Sequence, residues 1–156
     1  MNKELTIKYQ EYPDTAPLSD ADRLLLEAAL RSAKGAYSPY SKFHVGAAVL
    51  LADGTTVCGS NQENAAYPSG LCAERTALFA ASAQHPDCRD FTALAIVGID
   101  ADGRQCEASP CGACRQVMLE YERRQGHPMR ILLLTDGGSA RLFSSARDLL
   151  PFGFDF

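Results

Sequence analysis

Cys72-Ala73-Glu74-Arg75 and Ser109-Pro110-Cys111-Gly112-Ala113-Cys114-Arg115-Gln116 carry the residue types from which chemistry can be built. Thiolates are soft ligands suited to tetrahedral Zn2+. Three protein ligands leave a fourth position open, as catalytic zinc sites do and closed structural sites do not. That position suits a water. Glu74, two residues after Cys72, is poorly placed to chelate the same ion but can reach such a water as a base. Three thiolates on a divalent ion also leave one excess negative charge, which blunts its Lewis acidity. Arg75 and Arg115, each beside a ligand, are candidates to hydrogen-bond the sulfurs and draw that charge away.

Two other uses of the cysteines must be weighed. A structural zinc would normally take a fourth Cys or His nearby, and Cys58, Cys88 and Cys106 lack a matching spacing, so they read as free, mostly buried, small apolar residues. Cys111-Gly112-Ala113-Cys114 alone resembles a dithiol redox motif at a helix start, but that reading leaves Cys72 and Glu74 without a role. His85 and His127 precede prolines in loop-like stretches and His44 sits in a strand pattern, so none is expected as a ligand.

The elements that must position these groups follow from local pattern. Leu5, Ile7 and Tyr9 alternate with polar residues and predict a short strand, followed by a linker through Pro17. Residues 1–17 thus read as an N-terminal extension, an edge strand and linker, to a single domain spanning 1–156. Ser19 with Asp22 predicts a capped helix to about Lys34, its buried face made by Leu24, Leu25, Ala28 and Ala29. Phe43 to Leu51 and Thr55 to Asn61 form a hairpin around Asp53-Gly54. Asn61, Gln62, Glu63 and Asn64 then cluster polar side chains, and strand alternation turns Asn61 and Glu63 to one side, where they could converge on vicinal hydroxyls. A helix from about Leu71 to Ala83 places Cys72 and Glu74 in its first turn, where free N–H groups favour thiolates and anions. Phe91 to Ile99 is a near-continuous apolar run, read as a central strand covered on both faces. Ser109 and Pro110 are a cap and first-turn residue for a helix from about Cys111 to Gln125, ended by Gly126. Strands at Met129 to Thr135 and Arg141 to Phe143 and a last turn at Ser145 to Leu150 complete the order. The alternation argues for a three-layer α/β/α sandwich around a mixed central β-sheet.

The chain of 156 residues has 46% apolar and 22% charged residues, and its formal net charge is −4. That balance disfavours a polynucleotide backbone, which calls for a basic stripe, and so argues against a nucleic-acid partner or an editing enzyme on the same zinc core. No stretch approaches the roughly 20 apolar residues of a membrane helix, so no membrane partner is expected. Met1 to Leu5 has no apolar signal core, and the Cys-x-x-Cys spacing suits a reducing compartment; a cytoplasmic protein is the expectation.

Taken together, Tyr37 to Ala48, Asn61 to Tyr67, Cys72 to Phe79 and Pro110 to Gln116 resemble the cytidine deaminases of the small, homotetrameric, three-cysteine class. The three-cysteine zinc site with its intervening glutamate is the pattern of zinc deaminases. The resemblance implies a cytidine deaminase-like fold, one Zn2+ per chain and hydrolysis of cytidine and 2′-deoxycytidine to the uridines in pyrimidine salvage. It implies that Cys72, Cys111 and Cys114 hold the metal and that Glu74 shuttles protons. Phe43 would pack against the nucleoside and Asn61 and Glu63 would bind ribose, with Gln62 and Ala73 completing the substrate site. Leu150-Pro151-Phe152-Gly153-Phe154 fits the family's terminal element, whose aromatic ring, here Phe154, reaches a neighbouring subunit's site. A deaminase of another base or nucleoside is the closest rival, and sugar binding by Asn61 and Glu63 separates the two.

Overall fold

The computed structural model describes residues 1–154. Helix α1 (Asp20–Ser32) opens on Ser19, whose hydroxyl accepts from the Asp22 amide at 3.2 Å. Its buried stripe is Asp22, Leu25, Leu26 and Ala29, whereas Leu24, expected inside, is 60% exposed. Asp22 explains the rotation. Its carboxylate pairs with Arg130 at 2.8 Å, so the i, i+3, i+4, i+7 stripe that faces the sheet starts at Asp22 and takes Leu26 rather than Leu24.

The sheet has seven strands: β1 (Gln10–Tyr12), β2 (His44–Leu51), β3 (Thr56–Ser60), β4 (Phe91–Ile99), β5 (Gln105–Cys106), β6 (Arg130–Leu134) and β7 (Ala140–Phe143). Their order is β1-β7-β6-β4-β2-β3. Only β4 and β6 run parallel, and the connection between them carries α3 (Gly112–Gln125). Because β6 pairs with β4 from Ala93 to Ile96, the end of β4 is left to β5, which pairs with Gly98 and Ile99. The two-residue β5 was not legible in the sequence.

The first strand begins later than its alternation suggests. Gln10 lies opposite Leu142 and β7 ends one residue further, at Phe143, so the main chain before Tyr9 has no strand left to join. Tyr9 instead stacks its ring on Phe143 at 5.3 Å.

Two apolar layers lie on opposite faces of the sheet. Ala48, Ala93, Ala95, Val97 and Leu132 pack on α1. Ala47, Val49, Leu94, Ile96 and Leu133 pack on α2 (Ala73–Gln84) and α3, through Ala77, Leu78, Ala81 and Met118. The alternation along β2 and β4 therefore builds the expected three-layer sandwich, with β4 buried on both sides. Among the described residues no helix is long and apolar enough to cross a membrane.

Candidate active site

β2 begins, and β3 and β4 end, at the same edge of the sheet. The starts of α2 and α3 come to this edge as well. Cys72 and Cys111 occupy equivalent positions: each is the N-cap of its helix, with extended backbone (φ −71, ψ 155 and φ −68, ψ 165) and no side-chain capping bond. The cysteines thus stand one place outside the expected first turns. Ser109, expected as the cap of α3, lies two residues before the cap position, and its hydroxyl accepts from Arg115 Nη2 at 3.4 Å. The first amides of both helices lack intrahelical partners, so two positive helix ends converge on the sulfurs. Cys114 follows Cys111 one turn on, which puts both on one face of α3.

The Sγ atoms of Cys72 and Cys111 are 3.8 Å apart and those of Cys111 and Cys114 are 3.5 Å apart. All three lie within 4.8 Å of one another, the one such cluster among the described residues, and no histidine belongs to it. Zn–S bonds of about 2.3 Å at tetrahedral angles place sulfurs roughly 3.8 Å apart, so the triad fits one Zn2+ per chain. Cys58, Cys88 and Cys106 are free thiols apart from it, and they are not buried as expected: Cys58 is exposed and the other two are half-buried.

Charge is distributed unevenly over the triad. A hydrogen bond with Cys114, and after it one from Arg75, hold the Cys72 thiol down to about 5 against the opposing effect of burial. Cys114 shifts upward, because it keeps the proton that it shares with Cys72 and is itself fully buried. Arg75 Nη2 donates to Cys72 Sγ at 3.7 Å, and its buried Nε has no acceptor among the described residues, a second N–H on the side chain that faces the sulfurs. The two arginines considered from sequence divide here. Arg115 donates through Nε to Pro110 O at 2.7 Å and through Nη1 to Leu149 O at 2.9 Å, tying the ligand loop to the C-terminal segment rather than touching sulfur.

Glu74 is 4% exposed, and burial pushes its carboxyl up to about 7. It lines a cavity of about 800 Å3 together with Phe43, Asn61, Gln62, Glu63, Cys72, Ala73, Arg75 and Cys111. Asn61 and Glu63 lie past the end of β3, and both side chains meet the segment from Tyr40 to Val45: Asn61 Oδ1 accepts from Val45 N at 2.7 Å, and Glu63 Oε2 accepts from Tyr40 N at 2.9 Å. Gln62 turns the other way. Its Nε2 donates to Gly35 O at 3.2 Å and to Ser60 Oγ at 3.1 Å. Phe154 does not line this cavity of its own chain; the residue is 66% exposed.

Gly98 escaped the sequence reading. A methyl group there would stand 3.1 Å from Phe43 Cζ and 2.9 Å from Ala108 Cβ, so the missing side chain is what lets the Phe43 ring lie on the end of β4. No local signal marks it, since the contact crosses between strands.

Three thiolates around an open position, with a buried carboxyl beside them, are the donor set of a catalytic zinc centre. Residues 19–125 match the model of the cytidine and deoxycytidylate deaminase zinc-binding region, and the chain belongs to that family. It is 49% identical over 98 residues to a cytidine deaminase of Halalkalibacterium halodurans, an alignment covering 63% of this chain and 70% of that one. A cytidine deaminase of Mycobacterium tuberculosis is 42% identical over 123 residues, covering 76% of this chain and 88% of the relative. The crystal structure of cytidine deaminase from Burkholderia pseudomallei superposes with a TM-score of 0.73 at 43% identity, covering 85% of this chain and 98% of that one.

Proposed function

We propose that this chain hydrolyses the exocyclic amine of cytidine and 2′-deoxycytidine, yielding the corresponding uridines and ammonia. The observation that carries the proposal is the buried carboxyl of Glu74 beside three converging thiols, in one cavity with Phe43, Asn61 and Glu63. When bound, Zn2+ supplies Lewis acidity at the open side of the sulfur triangle. Glu74 accepts one proton from the attacking water and delivers it to the ring nitrogen, then takes the remaining proton of the added hydroxyl and delivers it to the departing amine. One carboxyl serves both directions because the reaction consumes a water and releases an amine. The C–O bond forms at C4 as the ring nitrogen is protonated, and the C–N bond breaks afterwards as the amine takes up its proton, with no change in oxidation state.

The cavity also favours a nucleoside over a nucleotide. Arg75 is the sole cation among its lining residues and is engaged with Cys72, while the Glu63 carboxylate would repel a phosphate. Phe43 is the face for the base, Ala73 keeps the helix start free of bulk, and Asn61 and Glu63 are the groups for sugar hydroxyls. The exposed Phe154, outside its own cavity, supports assembly into a homotetramer in which that ring reaches a neighbouring site.

The test is deamination by purified protein, followed in the ultraviolet, of cytidine beside cytosine, adenosine and CMP, with zinc and mass determined on the same sample. Turnover of cytidine alone among these four, with one zinc per chain and a mass four times the 16.8 kDa chain, is the expected result. Zinc without cytidine turnover would redirect the site to other amine-bearing heterocycles, and a monomer mass would remove the role for Phe154.

A further inference from the structure

We propose that Ser41 is a positioning residue that couples the carboxylate assigned to the sugar with the ring assigned to the base. The inference rests on the nucleoside reading above. Ser41 Oγ donates to Glu63 Oε1 and at the same time accepts from Phe43 N at 3.0 Å. The other oxygen, Glu63 Oε2, accepts from Tyr40 N at 2.9 Å and from Ser41 N at 3.3 Å. On the opposite side of the peptide, Phe43 O accepts from Asn61 Nδ2 at 2.9 Å. Both residues assigned to the sugar therefore hold the main chain of Phe43. Asn61 does so directly at the carbonyl, and Glu63 does so through Ser41 at the N–H.

The intervening residue reinforces the arrangement. Lys42 has φ 57, a left-handed conformation uncommon outside glycine, and its amide donates to Ser38 O at 3.1 Å. A residue holds such a conformation where its surroundings over-determine it. Here the Ser41 hydroxyl on one side and the Asn61 amide on the other are those surroundings.

Acceptor capacity makes the coupling consequential. A carboxylate offers about four lone-pair sites, and the three donors from the Tyr40-Ser41 turn leave about one for a substrate hydroxyl. Its direction is set by where Ser41 holds Oε1. The single proton of the serine hydroxyl is committed to Glu63, because a carboxylate can only accept, while the hydroxyl oxygen accepts from Phe43 N. Without that hydroxyl, Glu63 loses the donor that orients its free site and Phe43 loses the anchor of its N–H. Sugar and base recognition then lose their common reference. The effect belongs on substrate affinity rather than on the proton relay at Glu74.

Steady-state kinetics of the zinc-loaded full chain with cytidine test this in the unmodified protein, Ser41→Ala, Ser41→Thr, Glu63→Ala and the double variant Ser41→Ala/Glu63→Ala. Ser41→Ala is expected to raise KM about tenfold, the scale of one hydrogen bond to a charged group, with kcat within about twofold of the parent. Ser41→Thr restores the parent KM because it keeps the hydroxyl. In the Glu63→Ala background, Ser41→Ala raises KM clearly less than it does in the parent, since only the anchor on Phe43 N remains to be lost. A KM effect of the same size in both backgrounds, or a loss of kcat and thermal midpoint with KM unchanged, overturns the coupling. Absence of cytidine turnover in the unmodified chain would instead overturn the nucleoside reading, and this inference with it.

Discussion

Arg75 stands where the charge balance of the metal centre is decided. Three thiolates on a divalent ion carry one negative charge too many, and the guanidinium donating to Cys72 Sγ at 3.7 Å is the nearest compensation. It donates to the sulfur without being a ligand, so its loss affects the electrophilicity of the site more than the retention of metal. Arg75→Gln is therefore expected to lower kcat by about 10- to 100-fold while zinc stays close to one per chain. Turnover measured beside metal analysis checks this, and an equal loss of both would count against the charge-tuning role. Arg115, its counterpart in sequence, is held by Pro110 O and Leu149 O and belongs to the scaffold of the ligand loop. Two arginines in the same local context, each following a cysteine ligand closely, acquire different work because different carbonyls surround them.

Helix α2 brings Cys72 and Glu74 to the site, and its placement depends on β3. A Cβ on Gly59 would lie 2.4 Å from Ala77 N and 2.9 Å from Ala73 O, inside the backbone of the helix. The helix lies this close to the strand only because the position has no side chain. Gly59→Ala is expected to push the start of α2 outward, destabilising the fold by about 1–3 kcal/mol and weakening zinc affinity. Denaturant titration and competition with a chelator read the two effects separately. A chain that keeps both stability and affinity would show that α2 can shift without moving its cysteine. The element boundaries themselves were largely legible: Ser19 caps α1, Gly126 ends α3, and β4 spans the apolar run from Phe91 to Ile99. The start of α2 lies two residues, and that of α3 one residue, after the expected one. Cysteine takes the cap position in both, and a helix start with no capping side chain carries no distinctive sequence signal.

Across the whole molecule, the far end of α3 is fastened by a buried carboxylate. Glu122 is 5% exposed and accepts from Met129 N at 2.8 Å, Ala146 N at 2.7 Å and Ser145 Oγ at 2.7 Å. It thereby joins the helix to the start of β6 and to the turn after β7. Glu122→Ala strands these donors in the interior and is expected to cost about 3 kcal/mol or more. A lowered urea midpoint with an unchanged slope checks it, and a shift below about 1 kcal/mol would mean that water replaces the carboxylate. Glu122 attracted no notice in the sequence because a lone glutamate on a polar helix face reads as solvated. Its burial depends on two segments that meet it only in the folded chain.

By itself the sequence determined what is short-range. The spacing of Cys111 and Cys114, the glutamate two places after Cys72, the helix starts around them and the alternation of β2 and β4 are all consequences of backbone geometry over a few residues. Those were enough to single out the three cysteines and the layered architecture, and to make Glu74 the candidate base. The tertiary structure alone decided that Cys72 meets Cys111 across 39 residues of chain, that Arg75 and not Arg115 reaches sulfur, that Leu26 and not Leu24 enters the core, and that Gly98 clears room for Phe43. The physical reason is common to all four. Each is a contact between segments whose relative position is set by packing and ladder register of the whole sheet, and no local propensity encodes it.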